Sequence, residues 1–152
     1  MSAEVPERDA RRVEARKEFD FPGVLAAVPE HREEVMKFVN QHCSDQEVQI
    51  DLLVAVQEAL ANAALHGCRD DPAKRIQCTV MATPQEITIA VRDPGTGFNT
   101  ELADPGNYRP TRLRHGRGIC LIRSLVSELS FAHNGTEIVM RKQIGRNEDS
   151  PQ

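Results

Sequence analysis

The chain has little aromatic side-chain surface. Among its 152 residues Trp is absent, Tyr108 is the one tyrosine, and aromatic residues make up 4%. Stacking on aromatic rings therefore cannot be its main means of holding a ligand. A surplus of basic residues is also lacking, since the formal net charge is -4. Domains that bind nucleic acid duplexes normally carry a basic surplus or stripe, so direct binding of nucleic acid is not expected.

The cysteines lack the spacing of a metal site. Cys43, Cys68, Cys78 and Cys120 include no C-x-x-C pair, and no histidine stands at zinc-finger spacing from them. This pattern predicts ordinary buried thiols rather than a structural metal. There is no secretory signal, and no apolar run approaches the ~20 residues of a membrane span. We therefore expect a reduced, cytoplasmic protein without a membrane segment.

The composition fits one folded domain with charged ends. Hydrophobic residues make up 39% of the chain and charged residues 28%, which is a globular balance. Residues 1–17 are almost all charged or small and are expected to form a flexible arm, and residues 145–152 a disordered polar tail. Residues 18–144 are left for the folded domain.

Hydrophobic periodicity and turn residues predict the order of the elements. A weak edge strand comes first, followed by two helices, two strands, a long polar loop, a short helix and a final hairpin. Gly67 is expected to end the second helix as a left-handed cap, and Asn134-Gly135 to form the hairpin turn. This order predicts an α+β fold, a two-layer sandwich of a mixed, mostly antiparallel sheet with helices on one face. The predicted strands are 18–25, 76–82, 86–92, 128–132 and 136–142, the helices 29–43, 45–65 and 118–126, and the loop 99–114.

Three polar residues, Glu58, Asn62 and His66, recur every four positions in an otherwise apolar helix. This spacing places them on one helix face, one turn apart. An Asn oxygen suits Mg²⁺, which prefers oxygen ligands. A carboxylate one turn away can accept a proton from a group that attacks a phosphate. The three residues also fit a solvated stripe of an amphipathic helix, with His66 as an ordinary helix-end residue.

The segment V-R-D-P-G-T-G-F places an aspartate at the end of a predicted strand. Asp93 could accept a hydrogen bond from an exocyclic amine such as that of adenine. Gly95 and Gly97 permit positive φ angles and close backbone approach. The alternative is an ordinary D-P-G turn between two elements.

In the segment H-G-R-G-I-C-L-I-R, Gly116 and Gly118 are predicted to open a helix. Free N–H groups at a helix N-terminus bind phosphates, although a lone G-x-G is also common loop-to-helix punctuation. The preceding polar loop carries Arg112 and Arg114 beside Arg109. These arginines could close over a triphosphate as a lid, or they could be solvated residues without a role.

Taken in order, these motifs resemble the GHKL ATPase superfamily. E-A-L-A-N-A-A-L-H-G resembles its N box, D-P-G-T-G-F its G1 box, G-R-G-I-C-L-I its G2 box and N-G-T-E-I-V-M its last strand. Within the superfamily, the H-G after the N box and the G-R-G-I-x-L-I-R stretch are most similar to anti-sigma-factor serine/threonine kinases. The resemblance covers about residues 18–142 and implies the Bergerat ATP-binding fold.

The resemblance implies roles for the motif residues. Glu58 would be the general base, Asn62 the Mg²⁺ ligand, and Asp93 and Thr136 the residues that bind adenine. The glycines of both boxes would shape the nucleotide loops: Gly95, Gly97, Gly116 and Gly118.

The implied reaction moves the γ-phosphate of ATP to a Ser or Thr hydroxyl of an anti-anti-sigma protein of the STAS type. Otherwise the domain would bind and silence a sigma factor, commonly as a homodimer. Two other functions stay open: a module that sequesters partners and uses ATP only to order its surface, and a scaffold that binds no nucleotide.

Overall fold

A five-stranded sheet forms one layer of the fold. The computed structural model describes residues 13–95 and 114–144. The strand order is β1-β2-β3-β5-β4, and all four pairings are antiparallel. The α+β prediction is thus confirmed, although the sheet is antiparallel throughout these pairings rather than mixed. The strands are β1 (Ala15–Pro22), β2 (Arg75–Ala82), β3 (Glu86–Arg92), β4 (Glu128–Ala132) and β5 (Glu137–Gln143).

Alternation along the strands gives the sheet one apolar face. In β2, Ile76, Cys78 and Val80 are fully buried, while the residues between them are more exposed. Ile89 of β3 pairs with Val80 on one side and with Met140 of β5 on the other, so the buried positions lie in register across the sheet. Because side chains alternate between faces, this register creates the continuous surface on which the helices pack.

Three helices form the second layer. They are α1 (Val28–Gln41), α2 (Gln46–Asn62) and α3 (Arg114–Leu125), and α2 packs against both of the others. Asp45 caps α2, since its Oδ1 accepts hydrogen bonds from the N–H groups of Glu47 at 2.9 Å and Val48 at 3.3 Å. This satisfies two donors that a helix N-terminus leaves open.

The second helix is apolar because it is the core of the domain. By length and composition alone, the stretch Gln46–Gly67, with mean hydropathy 1.3, could cross a membrane, which the sequence analysis did not anticipate. Leu52, Val56 and Leu60 are fully buried within the fold. A buried core helix passes the same test as a membrane span.

The end of α2 differs from the prediction. A π-helical turn, Ala63–Gly67, follows Asn62, and the N–H of Cys68 donates to the Ala63 carbonyl at 2.8 Å. Gly67 does not have a positive φ; Arg69 and Asp70, with φ of 55° and 59°, take the left-handed conformation instead. The prediction that Gly67 is a left-handed cap is therefore wrong.

The third helix begins earlier than predicted. It starts at Arg114 rather than at Gly118, so Arg114 lies in the helix and not in the loop. Since only the first four N–H groups of a helix are free, the N–H of Gly118 is not among them. Lys142 of β5 fixes the far end of this helix, because its Nζ donates to the Leu125 carbonyl at 2.6 Å and to Asp51 Oδ2 at 3.0 Å.

The chain termini are only partly described. Strand β1 begins at Ala15, so residues 15–17, which were assigned to the flexible arm, belong to the sheet edge. The rest of the predicted arm up to residue 12, the predicted tail 145–152 and the predicted loop up to residue 113 lie outside the described residues. Asn134 and Gly135 lie in a short turn before β5 with φ of 59° and 86°, as the hairpin prediction required.

All four cysteines carry unpaired thiols. Burial raises the pKa of Cys78 to about 12, and it also raises the pKa of Cys43 and of Cys68. A thiol with a raised pKa is a poor nucleophile at neutral pH, so these three residues act as core side chains.

Candidate functional site

One group of polar residues lies between α2 and α3. A Cβ added to Gly118 would lie 3.0 Å from Glu58 Oε1 and 3.3 Å from Asn62 Nδ2. The missing side chain of Gly118 therefore lets the backbone of α3 come close to both polar groups of α2. The packing brings together two motifs that are far apart in the sequence.

The Asn62 amide is not satisfied by the protein around it. Its Nδ2 is buried and has no hydrogen-bond partner in the described residues. Among the buried side-chain nitrogens without a hydrogen-bond partner in the described residues, the Asn62 nitrogen is the one beside Gly118. The oxygen and nitrogen of an amide are assigned from their hydrogen bonds. As assigned, the Asn62 nitrogen lacks an acceptor, which a ligand oxygen such as that of a phosphate can supply, while the amide oxygen can face a cation.

The oxygen atoms of Asn62 and Glu58 suit a metal ion that takes most of its ligands from water and substrate rather than from the protein. The described residues contain no group of three or more His, Cys, Asp or Glu side chains able to hold a metal ion. Zn²⁺ and Ca²⁺ normally need such a set. Mg²⁺ is commonly held by one or two protein oxygens together with waters and substrate phosphates. Asn62 and the nearby Glu58 carboxylate fit that ion.

A second group of residues surrounds Asp93 at the end of β3. Asp93 Oδ1 accepts a hydrogen bond from the Gly95 N–H at 2.7 Å. Burial raises the pKa of Asp93, and the Gly95 bond partly opposes this effect. Hydrogen-bond partners for Oδ2 are absent from the described residues, so this oxygen is available to a donor such as an amine. The carboxylate is thus held in place by the backbone.

Thr136 lies next to Asp93, as the adenine-site prediction requires. The N–H of Asp93 donates to the Thr136 carbonyl at 3.0 Å, and the Thr136 hydroxyl donates to the His133 carbonyl at 2.8 Å. Thr136 immediately precedes β5 rather than beginning it. Its hydroxyl oxygen can still accept one hydrogen bond in this arrangement.

Two glycines close the space around the carboxylate. A Cβ on Gly67 would collide with the Asp93 carboxylate, and a Cβ on Gly95 would lie 2.8 Å from the Gly67 Cα and 2.9 Å from Asp93 Oδ1. The π turn after α2 and the loop after β3 therefore meet at contact distance. This contact is not evident from the sequence, because the H-G pair indicates only the end of a helix.

A cleft of about 640 Å³ is lined in part by Asp93, Pro94 and Gly95. Arg75, Gln77 and Arg92 line it from the strand positions that alternate with the buried ones. Glu58 and Asn62 are not among its lining residues, so the cleft is distinct from the space between the helices. The other residues that line it are Ala73, Lys74 and Thr136.

For the remaining predicted site residues, the structure gives the position in the fold for three and describes nothing of the other two. His66 is exposed within the π turn. Arg114 and Gly116 fall in the first turn of α3. Gly97 and Arg112 lie outside the described residues.

The sheet, the helical layer and the paired glycine motifs are those of a histidine kinase-like ATPase domain. The family model with that description matches residues 21–142. A crystal structure of the RsbU and RsbW domains of Rv1364c from Mycobacterium tuberculosis has the same fold, with a TM-score of 0.56 and 15% sequence identity. The match covers 86% of this chain and 32% of that one, so the chain spans about a third of its length.

Similarity to individual proteins places the chain in a smaller group within this family. The chain is 34% identical over 118 residues to an anti-sigma F factor of Clostridium novyi, covering 72% of this chain and 81% of the relative. It is 32% identical over 119 residues to an anti-sigma F factor of Clostridium perfringens, covering 74% of this chain and 85% of the relative. The chain therefore belongs to the histidine kinase-like ATPase domains, and among them to the family of the anti-sigma F factors.

Proposed function

We propose that this chain is an ATP-dependent serine/threonine protein kinase of a partner-switching system. It phosphorylates an anti-anti-sigma protein of the STAS type and binds and inhibits a sigma factor in the cytoplasm, acting as a homodimer. The observation that carries the proposal is the approach of Gly118 to Glu58 and Asn62. The Glu58 carboxylate, the Asn62 amide and the backbone of Gly118 thus lie close together. This arrangement suits the phosphate groups of a bound nucleotide.

Each end of the site has a separate task in this proposal. Asp93 accepts a hydrogen bond from the exocyclic amine of adenine through Oδ2, while the Gly95 N–H keeps Oδ1 in place. The Thr136 hydroxyl lies beside it as a further polar group. The free N–H groups in the first turn of α3, which includes Gly116, face phosphate charge in the manner of helix N-termini. By the resemblance, Gly97, Arg112, Arg114 and His66 also belong to the proposed nucleotide site.

The phosphate end performs the chemistry. Asn62 would hold Mg²⁺ through its amide oxygen, and the ion, when bound, would supply positive charge to the phosphate oxygens of ATP. Glu58 accepts the proton of the attacking Ser or Thr hydroxyl, as a general base within one helical turn of the metal ligand. The hydroxyl oxygen bonds to the γ-phosphorus, the bond to the β-phosphate oxygen breaks, and ADP leaves.

The relatives' name supports the regulatory part of the proposal and also an alternative. Two of the most similar relatives are called anti-sigma F factors, a name that states inhibition of a sigma factor and no transfer of phosphate. The alternative function is therefore a module that binds ATP and sequesters its partner without kinase activity. In that case Glu58 would have no catalytic task.

Transfer of labelled γ-phosphate separates the two functions. Wild type and Glu58→Gln are incubated with Mg-ATP and a native extract, and the extract is examined for a small protein labelled on Ser or Thr. Loss of a positioned general base typically costs about 10²- to 10⁴-fold in rate. We therefore expect labelling by wild type only. ATP binding by both proteins should be equal, because Gln has nearly the same shape as Glu.

Two results would count against the kinase. Equal labelling by wild type and Glu58→Gln would exclude Glu58 as the base. ATP binding by both proteins with no labelling by either would favour the sequestering module. Failure of Mg-ATP to raise the unfolding temperature of wild type would exclude nucleotide binding and leave the scaffold.

A further inference from the structure

Gly67 is in contact with a residue that the sequence gives no reason to connect to it. It ends the π turn that continues α2, the helix that carries Glu58 and Asn62. A Cβ at this position would overlap the Asp93 carboxylate, and Gly95 also packs against Gly67. Gly67 is not in the left-handed region, so its backbone conformation is open to any residue. Contact with Asp93, and not backbone conformation, is what requires glycine here.

The π turn is what brings Gly67 to that position. The Cys68 N–H bonds five residues back to Ala63, and the Asp70 N–H bonds to Ala64 at 2.7 Å. These widened turns are followed by Asp70, whose Oδ1 accepts a hydrogen bond from the Leu25 N–H at 2.8 Å. The segment is therefore held at both ends. Single π turns in helices frequently occur at functional sites.

The contact limits where the carboxylate can lie. Gly95 holds Oδ1 by a hydrogen bond, and the backbone of Gly67 lies against the carboxylate, where a Cβ would overlap it. We propose that Gly67 is a positioning residue that sets the Asp93 carboxylate for base recognition and so determines the preference for adenine over purines without the amine. This inference rests on the proposed function, because it concerns how the base of ATP is recognised.

The test compares two nucleotides that differ only at the base. ATP carries the exocyclic amine, and purine riboside triphosphate lacks it. Their dissociation constants are measured by calorimetry for wild type, Gly67→Ala, Asp93→Ala and the double variant. Wild type should prefer ATP by about tenfold to a hundredfold, the range for one hydrogen bond to a charged group. Gly67→Ala should lose that preference by weakening ATP binding alone, and the double variant should lose no more than Asp93→Ala.

Gly23→Ala is the matched control. A Cβ at Gly23 would collide with the side chain of Cys68, the residue after Gly67. This variant therefore introduces a similar steric clash next to Gly67 but not at Asp93. It should lower the unfolding temperature and keep the preference for ATP. Loss of the preference in Gly23→Ala as well would mean that any crowding of the π turn has this effect, and it would overturn the inference.

A stability measurement keeps the test independent of the nucleotide. Gly67→Ala should lower the urea midpoint, and adding Asp93→Ala should restore most of it, because the atoms that the new methyl group would meet are then gone. Additive losses in this double-mutant cycle would contradict the contact, even if Gly67→Ala alone folds poorly.

The inference and the proposed function fail in different ways. Wild type that binds neither nucleotide would overturn the proposed function. Wild type that prefers ATP, together with Gly67→Ala that keeps the same preference or weakens both nucleotides equally, would overturn the inference alone.

Discussion

The two ends of the candidate site are built differently. At the proposed base end, the Asp93 carboxylate is held by a backbone N–H at 2.7 Å and lies against two glycines. At the proposed phosphate end, Asn62 has a buried amide nitrogen for which the described residues supply no hydrogen-bond partner. One end is organised before any ligand arrives, and the other has an unmet hydrogen-bonding requirement.

This difference suggests how specificity and chemistry are divided. A fixed acceptor discriminates well because it costs no reorganisation when the correct donor binds. A buried polar group without a partner destabilises the free protein, and a ligand that accepts a hydrogen bond from it, such as a phosphate oxygen, removes that cost. Binding at the phosphate end should therefore stabilise the fold more than binding at the base end.

The largest effect is expected from Asn62→Ala. If Asn62 is the protein ligand of Mg²⁺, Mg-ATP affinity should fall by more than about 100-fold, beyond the loss typical of outer-shell partners of a metal. The unfolding temperature of the nucleotide-free protein should not fall, because the variant removes an unsatisfied amide. Calorimetry and thermal unfolding measure the two quantities. A destabilised variant that still binds Mg-ATP would reverse the assignment of this end.

A smaller effect is expected from Asp93→Asn at the base end. The amide oxygen can still accept from Gly95, but the amide nitrogen offers a donor where adenine requires an acceptor, so ATP affinity should fall about tenfold to a hundredfold. Burial raises the pKa of Asp93, so the ionised carboxylate destabilises the folded state above that pKa. The nucleotide-free variant should therefore be more stable than wild type at neutral pH.

The pH dependence of this end follows from the same shift. As the pH falls through the raised pKa of Asp93, the carboxylate becomes protonated, the stability cost disappears and one acceptor is lost. ATP binding by wild type should weaken on acidification, whereas binding by Asp93→Asn should change little over that range. Parallel pH profiles for the two proteins would show that Asp93 does not bind the base.

The smallest effect concerns a group outside both ends. His31 is stacked on Phe21 with 4.0 Å between ring centroids. Burial lowers the pKa of His31 from 6.5, and the positive charge of Arg75 lowers it further. The negative charges of Glu34 and Glu30 raise it, but less than burial lowers it. Folding therefore opposes its protonation, and stability should decline as the pH falls below 6.5. His31→Phe should flatten this decline in urea unfolding between about pH 7 and 5. In the His31→Phe variant, the pH dependence caused by Asp93 could then be measured without the contribution of His31.

If wild type and His31→Phe lose stability equally on acidification, other groups must cause the decline. The His31→Phe background would then leave the Asp93 profile unchanged. ATP binding at neutral pH is the control, and it should be the same in both proteins because His31 does not touch either end of the site.

Local patterns in the sequence predicted most of the elements. The alternation in β2 and β3 and the apolar stripe of α2 are properties of consecutive residues, and they placed these elements within a few positions. The boundaries near Gly67 and Gly118 were missed, since the π turn and the early start of α3 depend on what packs against them. Tertiary contacts can outweigh local preference at helix ends.

The sequence by itself determined the family and the spacing of Glu58 and Asn62, because motifs and helical periodicity are carried by neighbouring residues. Only the tertiary structure decided that Gly118 meets this pair and that Gly67 meets Asp93. These contacts join segments far apart in the chain. They exist because the helices pack on one face of the sheet, where the absence of a Cβ allows the backbones to approach the polar groups.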